Sequence, residues 1–586
     1  MSKASKIEII RHSTSHILAA AVQQLFPGTK FGIGPIIENG FYYDFDLPRS
    51  LAPEDLPRIE KKMKEMIKKN LKFEKEELTI NKAIDLFKKL KQSYKVELIK
   101  DLQKEKVKKV TIYKTGDFTD LCRGPHIAST KEIKSDAFKL TKIAGAYWKG
   151  DEKNKMLQRI YGVAFNNKRE LDEYLAKQAE AEKRDHRYLN NLLNLYQISD
   201  EVGPGLVMLH PKGAIIREEI EKFWKEEHQK HGYQYVSTPH IGKLDLWKKS
   251  GHWEFYRENL YPPMKIEETE YLLKPMNCPF HVQIYQSQIR SYKELPIRYC
   301  ELGTVYRYEK TGVLHGLLRV RGFTQDDAHI FCAPGQLGQE VLGVLDLALF
   351  MLKVFGFKEY EFELAVRDPK EKKKKYLGDD KIWNKAEKAL VYALEKKKLK
   401  YHRAEGEAVF YGPKIDIKLI DALGRGWQGP TIQVDFNFPE KFDLAYIDNE
   451  GKKQQPIMIH RTVLGATDTR FLGCLIEHYG GAFPVWLAPI QTQIIPVSQK
   501  FNKYAQQVKE QFQKENIRAE LNEDNETLGK KIREGELQKI PYLLIVGEKE
   551  IKTDSVAVRD REKGDLGLMK TKKFIAQIKE EIKKRK

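Results

Sequence analysis

The sequence predicts a multidomain α+β protein. Its largest domain is built on an antiparallel sheet, with a smaller α+β domain before it and an α/β domain after it. Three observations carry this expectation. At 586 residues the chain is too long for one hydrophobic core. Strand-like runs at 271–273, 414–420 and 431–438 alternate with helical stretches in an aromatic-rich middle region. From residue 487 onward the pattern changes to a β-α-β-α-β rhythm.

Residues 1–163 alternate short strands and helices, with a lysine-rich helical tract at 57–71. In the next segment, 164–197, the stretch 167–196 is highly charged, has few apolar positions and contains no Pro or Gly. That predicts an exposed linking helix. Gly203-Pro204-Gly205 then opens a large region, 198–486. Within it, Ile297, Tyr299, Leu302 and Val305 on one side, and Ile330 and Phe331 on the other, predict two β-strands joined by a loop. The most apolar long run, 341–357, contains Asp346 and Lys353 and reads as a buried helix rather than a membrane span. Residues 487–586 read as strand 493–496, helix 500–516, strand 519–521, helix 528–539 and strand 542–546. These imply a small parallel or mixed sheet flanked by helices.

A formal charge of +20 and a pI near 9.2 favour a polyanionic partner, nucleic acid first. A lysine-rich proteome is the alternative source of that charge. Hydrophobic content of 41% and aromatics at 11% argue against a disordered chain. The first ten residues carry Lys3, Lys6 and Glu8 without an apolar core, so no signal peptide is expected. Cys122, Cys278, Cys300, Cys332 and Cys474 are scattered and odd in number. They argue against a disulfide framework and fit a reducing cytoplasm.

The densest chemistry lies at 307–329. Arg307-Tyr308-Glu309, a glycine-containing loop, Arg319-Val320-Arg321-Gly322-Phe323 and Gln325-Asp326-Asp327-Ala328-His329 follow one another there. Guanidinium forks match phosphate oxygens, so two arginines and a glutamate on one hairpin can grip two phosphates and a base edge. A solvated hairpin with cross-strand charge pairs is the alternative. The polar cluster that follows sits inside an apolar frame, which suits a site better than a surface.

Arg307-x-Glu309 with the run from Arg319 to His329 resembles motif 2 of class II aminoacyl-tRNA synthetases. With Lys274-Pro275-Met276-Asn277-Cys278-Pro279 upstream and Met458-Ile459-His460-Arg461 downstream, it is similar to the threonyl-tRNA synthetase family in particular. Arg11-His12, Gly145-Ala146-Tyr147-Trp148-Lys149-Gly150 and Lys155-Met156-Leu157-Gln158-Arg159-Ile160-Tyr161-Gly162 extend the resemblance over nearly the whole chain. It implies an N-terminal editing domain (1–163), a linker helix (164–197), a class II catalytic domain (198–486) and an anticodon-binding domain (487–586). It also implies ATP-dependent attachment of L-threonine to tRNA(Thr) through a threonyl-adenylate, hydrolytic editing of seryl-tRNA(Thr), and a homodimer. Many bacterial members open with a small ubiquitin-like domain, which this chain is expected to lack, by nature or by truncation.

By the same resemblance, Cys278, His329 and His460 bind one Zn²⁺. Taken singly, Cys278 reads as a small buried residue and each histidine as hydrogen-bonded core, so spacing alone does not reveal such a site. Asp327 would accept the threonine hydroxyl proton, while Gln325, Gln428 and Gln433 would line the amino-acid pocket. Arg307 would neutralise the α-phosphate, Glu309 would read the adenine amino group and Phe323 would stack on the ring. Arg319 and Arg470 would hold the remaining phosphates with Mg²⁺, and Lys414 would add positive charge. One departure stands at Gly465-Ala466-Thr467-Asp468-Thr469-Arg470-Phe471, which is one residue longer than the family's usual third motif. Thr469 occupies the slot of an acidic residue, and a local bulge is expected to absorb the extra length.

His12 and His16 stand one helical turn apart, and Cys122 and His126 repeat that spacing in a Gly-Pro loop. From the residues alone this is a tetrahedral zinc set. The resemblance instead implies a metal-free editing site assisted by Tyr43, Lys95 and Asp120. A related alanine-family domain does bind zinc, so both readings stay open. Asn525, Arg533, Glu550 and Arg559 match positions that would read anticodon bases. The linking helix and lysine tracts would contact tRNA phosphates. Two other readings compete: a non-catalytic, synthetase-like RNA-binding protein, favoured only by the irregular third motif, and a deacylase in which only the N-terminal domain works.

Overall fold

The computed structural model describes residues 5–368, 370, 376–420 and 425–585. The chain divides into two compact units, Met1–Ala179 and Glu180–Lys586. The break falls inside the helix Lys168–Arg184. The expected single exposed linking helix is corrected here. Asp185 caps a second helix, His186–Leu193, by accepting the Arg187 amide hydrogen at 2.8 Å. That helix buries His186, Leu189 and Leu193.

In the first unit, the helix Lys6–Leu25 opens with a capping box in which Ser5 and Glu8 bond reciprocally. It packs with the helix Asp55–Lys68 against a sheet ordered Lys30–Phe31, Gly40–Asp46, Met156–Ala164 and Phe138–Tyr147. A second sheet runs Glu74–Thr79, Lys109–Thr115, Phe118–Leu121, and the helices Ile80–Lys89 and Ser93–Lys104 accompany it.

The second unit is organised by an eight-stranded sheet. Its order is Gln234–Tyr235, Ile297–Tyr306, Gly322–Cys332, Ile457–Ala466, Gly426–Asp435, Lys414–Ile420, Glu359–Val366 and Tyr401–Glu405. Pairing is antiparallel except at the two outermost strands. The helices Leu337–Val354 and Asp380–Lys396 bury the apolar face, as the run 341–357 predicts. One register row crosses five strands through Tyr299, His329, His460, Gln433 and Lys414. Two residues along, Glu301, Asp327, Thr462, Thr431 and Asp416 form the next row. Side chains alternate between faces, so both rows share the face opposite the helices. The run 431–438 is not all strand. The ladder ends at Asp435, whose carboxylate caps the helical turn Asn437–Lys441 by accepting from the Asn437 and Phe438 amides.

The C-terminal part forms a mixed sheet ordered Ala519–Leu521, Thr492–Pro496, Tyr542–Val546, Ser555–Asp560, Gly564–Lys570. The first three strands are parallel and the last two antiparallel. The antiparallel pair and the final helix Thr571–Lys583 extend the rhythm read from the sequence.

Candidate active site

A cavity of about 480 Å³ opens on the polar face of the eight-stranded sheet. Its lining gathers Cys278, Arg307, Glu309, Arg319, Phe323, Gln325, Asp327, His329, Lys414, Gln428, Gln433, His460 and Arg470. Every catalytic-region residue to which the resemblance gives a role therefore lines one space, whereas Arg321 and Asp326 of the same run do not.

The thiol–imidazole end is the most buried. Cys278 begins the helix Cys278–Gln286, and the donor atoms of Cys278, His329 and His460 lie within 4.8 Å of one another. His329 meets His281 through Nδ1 at 2.8 Å, and His460 meets Asp435 Oδ2 through Nε2 at 2.9 Å. One nitrogen of each ring is thus left facing the cluster, and such outer contacts hold ligand rings in place. Burial pushes the Cys278 thiol up and the His329 imidazole down. Two oriented imidazoles and a thiol fit a three-ligand zinc site with an open position.

Beside this trio, Asn277 Nδ2 donates to Asp327 Oδ2 at 3.0 Å, and burial pushes the Asp327 carboxyl up. The Tyr411 hydroxyl donates to Gln433 Oε1 at 2.5 Å, and its ring stacks on His460 with centroids 4.9 Å apart. Lys414 is paired with Asp416, which also accepts from Thr431 Oγ1 at 2.8 Å. Tyr411, Asn277, His281 and Thr431 were not singled out from sequence. Asn277 sits inside the quoted 274–279 run and Thr431 inside the strand-like run 431–438, so both had a local signal. Tyr411 had none.

The other end is cationic. The Arg307 guanidinium lies 5.0 Å from the centre of the Phe323 ring, and Arg319 pairs with Glu309 at 3.0 Å. Arg470 opens the helix Arg470–Tyr479 and donates from Nε to the Leu318 carbonyl at 3.2 Å. Burial lowers its pKa, and neighbouring Arg307 and Arg319 add to that shift.

A bulge precedes the irregular third motif. Gln325 pairs with Ala466 and Asp327 with Thr462, so residues 463–465 arch out of the ladder. Asp326 points away from the cavity and accepts the amide hydrogens of Val463, Leu464 and Gly465 at 2.9, 3.0 and 2.7 Å. The Trp224 indole donates to it at 3.1 Å. Thr467 N–H then bonds the Thr324 carbonyl, and Asp468 accepts from the Thr324 amide at 2.8 Å. With these anchors the turn delivers Arg470 to the cavity.

In the first unit the expected editing residues also converge. The ligand atoms of His12, His16, Cys122 and His126 lie within 4.8 Å of one another. Cys122 Sγ stands 3.3 Å from both His12 Nε2 and His126 Nε2, and Ser13 Oγ is 3.0 Å from His126 Nδ1. Asp120 pairs with Lys95, accepts from the Tyr43 hydroxyl at 2.6 Å, and lies 3.5 Å from His16 Nε2. Burial lowers the pKa of all three histidines and pushes the Cys122 thiol up to about 12.

Comparison with known proteins decides the family. Residues 261–479 match the tRNA synthetase class II core domain (G, H, P, S and T), and 491–581 match the anticodon binding domain. Residues 110–161 match the threonyl and alanyl tRNA synthetase second additional domain. A threonine–tRNA ligase of Dehalococcoides mccartyi is 55% identical over 557 residues, which is 95% of this chain and 94% of that protein. The chain belongs to the threonine–tRNA ligase family. A member from Sulfurihydrogenibium sp. is 52% identical over 579 residues, 98% of this chain and 89% of its own length. Among solved structures, the RNA binding domain of threonyl-tRNA synthetase from Cryptosporidium parvum Iowa II is 37% identical with a TM-score of 0.64. It covers 68% of this chain and 98% of its own.

In the part matching the family's anticodon domain, Asn525 and Arg533 are exposed. Arg559 is paired with Glu536 at 3.0 Å, and Glu550 accepts the Gly547 amide hydrogen at 2.8 Å, capping its own helix.

Proposed function

We propose that this ligase activates L-threonine with Mg²⁺–ATP, passes it to tRNA(Thr), and hydrolyses mischarged seryl-tRNA(Thr) in its first unit. The observation that carries the reading is the polarity of this cavity. A Cys–His–His donor set lies at its buried end and three arginines at the other. Amino acid and triphosphate can meet between them.

Arg307 faces the α-phosphate and Phe323 stacks on adenine, so positioning and fixed charge supply most of the catalysis. Glu309 exchanges its contact with Arg319 for the adenine amino group, and Arg319 and Arg470 then take the outer phosphates. Gln325, Gln428 and Gln433 surround the amino acid, Asp327 accepts its hydroxyl proton, and Lys414 adds positive charge. Cys278, His329 and His460 would hold one Zn²⁺, which would supply Lewis-acid binding for an amino group with a neighbouring hydroxyl. Valine lacks that hydroxyl, and an apolar pocket alone separates such isosteres only about 10²-fold. Serine keeps it and lacks just a methyl, a difference of about 1–3 kcal/mol, so a second, hydrolytic site is needed. His12, His16, Cys122 and His126, with Tyr43, Lys95 and Asp120, form that site without metal.

Asn525, Arg533, Glu550 and Arg559 read anticodon bases, Arg559 after releasing Glu536. We place the enzyme in the reducing cytoplasm, as a homodimer, on its few, scattered cysteines and its family. Among the described residues no helix is long and apolar enough to cross a membrane. The non-catalytic alternative is not favoured, because Arg470 lines the cavity despite the irregular motif. Threonine-dependent ATP–pyrophosphate exchange tests the reading. Exchange with threonine and not valine is expected, and its absence in zinc-loaded enzyme would overturn the assignment.

A further inference from the structure

Outside the cavity lining, Asp185, His186 and Glu477 bring donor atoms within 4.8 Å of one another. Their bonds are committed to the protein itself. His186 is fully buried, and its Nε2 accepts the backbone N–H of Leu317 at 3.0 Å. An amide N–H can only donate, so that nitrogen carries no proton. The ring proton sits on Nδ1 and is donated to Glu477 Oε1 at 2.7 Å. The other Glu477 oxygen accepts from Arg425 at 2.7 Å. The surroundings therefore fix a single tautomer of His186.

Glu477 stands two helical turns from Arg470 on the helix Arg470–Tyr479, and Gly473 lies between them on the same face. The loop 315–319 runs across that face. Leu317 is tied through His186 to Glu477, and the Leu318 carbonyl takes the Arg470 Nε–H at 3.2 Å. A Cβ at Gly473 would meet Leu318 Cδ2 at 3.0 Å and Leu317 Cβ at 3.2 Å. A Cβ at Gly316 would meet His186 Nε2 at 2.1 Å. The approach at Gly316 needs a residue without a side chain, and a methyl at Gly473 would make the loop give way slightly. The next residue in the loop is Arg319.

We propose that His186 is a positioning residue that pins the loop carrying Arg319 to the helix carrying Arg470. It sets the spacing of two guanidinium groups for a nucleoside triphosphate and touches no substrate itself. The proposal rests on the ligase reading, in which those arginines hold phosphates.

Two isosteres separate this role from simple packing. His186→Asn keeps an N–H where Nδ1 stands and removes the acceptor for Leu317. His186→Gln places an amide oxygen where Nε2 stands and restores that acceptor. The backbone N–H of residue 186, which donates to Glu477 Oε1 at 3.2 Å, keeps the helix end of the link in both variants. His186→Asn is expected to weaken Mg²⁺–ATP binding about tenfold by calorimetry, the loss of one well-placed hydrogen bond, with KM for ATP rising equally in exchange. KM for threonine and seryl-tRNA(Thr) deacylation stay unchanged, and His186→Gln recovers most of the loss. Gly473→Ala favours the helix, so it reports on the loop even if His186 variants fail to fold, and it should show the same ATP-specific defect. The proposal is overturned if the Asn and Gly473→Ala variants bind Mg²⁺–ATP as wild type does. It is equally overturned if Gln fares worse than Asn, or if threonine and ATP weaken together. Wild-type enzyme lacking exchange would sink the ligase reading alone, because calorimetry still ranks the variants.

Discussion

His329 and His460 face each other across adjacent antiparallel strands, with ring centroids 4.8 Å apart and planes crossed at 85°. Register, not sequence proximity, creates this pair. Cys278 reaches it from a helix start, so loss of the thiol leaves two oriented imidazoles with no third donor. Cys278→Ala is expected to lower zinc affinity by more than about 100-fold, beyond the effect of disturbing an outer contact. Metal content after dialysis against a chelator measures it. Threonine-dependent exchange should fall in step while Mg²⁺–ATP binding persists. Full zinc retention in the variant would remove Cys278 from the donor set.

Asp326 and Asp327 are neighbours with opposite tasks, because a strand sends successive side chains to opposite faces. Asp327 lines the cavity, whereas Asp326 satisfies three backbone amides of the 463–465 bulge and one indole N–H. Asp326→Ala orphans four buried donors, each costing about 1–3 kcal/mol unless water replaces the carboxylate. The expected result is a destabilisation of several kcal/mol, read as a fall in the calorimetric Tm of the second unit. An unchanged Tm would mean the bulge holds itself.

Those two aspartates show how much was legible. Alternating apolar residues around 297–306 and 322–332 announce the hairpin, and the polar run in it marks the site. Which face holds the cavity depends on where the helix Leu337–Val354 packs, and no local pattern carries that. The same holds for Tyr411, a turn residue ahead of the strand Lys414–Ile420, whose contacts with Gln433 and His460 are tertiary. The break at Asp185 was readable in principle as an N-cap, but the charged run around it offered no Pro or Gly to mark it. Glu550 and Arg559 match a family pattern, whereas their present partners, a helix N-terminus and Glu536, are tertiary facts.

In the first unit, burial lowers the pKa of His12, His16 and His126 below the ordinary 6.5. Below that pH the unfolded chain binds protons that the folded unit refuses, so stability is full above about 6.5 and falls as pH drops. Each such histidine contributes a slope of about 1.4 kcal/mol per pH unit at most. Calorimetry of the full chain between about pH 7.5 and about pH 5.5, about one unit either side of that pKa, should show the first unit's transition moving down. A His126→Gln variant should show a shallower dependence. A transition that stays level in wild type would mean the histidines are not held neutral.

Cys122 separates the metal-free and zinc readings of the same cluster. Its thiol is pushed up to about 12 by burial, from an ordinary 9.0. At pH 8 its thiolate fraction would be roughly a thousandfold below that of an ordinary cysteine, and alkylation follows the thiolate. Iodoacetamide should therefore leave Cys122 largely unmodified in native protein, as peptide mass spectrometry would show. Rapid modification would contradict a neutral, half-buried thiol. One bound zinc that is lost on Cys122→Ala and retained on Cys278→Ala would establish the tetrahedral set instead.

Arg470 carries the question raised by the long third motif. The bulge at 463–465 and the Thr467–Asp468 anchors on Thr324 bring it to the wall shared with Arg307 and Arg319. Its guanidinium is half-buried, so part of its hydration is lost until an anion arrives, which makes it a sensitive partner for phosphate oxygens. Arg470→Ala is expected to lower pyrophosphate exchange about 10²–10³-fold, the range for removing one preorganised charge stabiliser. Arg470→Lys should recover only part, because a single ammonium cannot reproduce the fork that meets both Leu318 and a phosphate. Deacylation of seryl-tRNA(Thr) by the first unit should remain at the wild-type rate. If Arg470→Ala leaves exchange intact, the extra residue has turned this arginine away from ATP in the working enzyme, and Arg307 with Arg319 must hold the triphosphate alone.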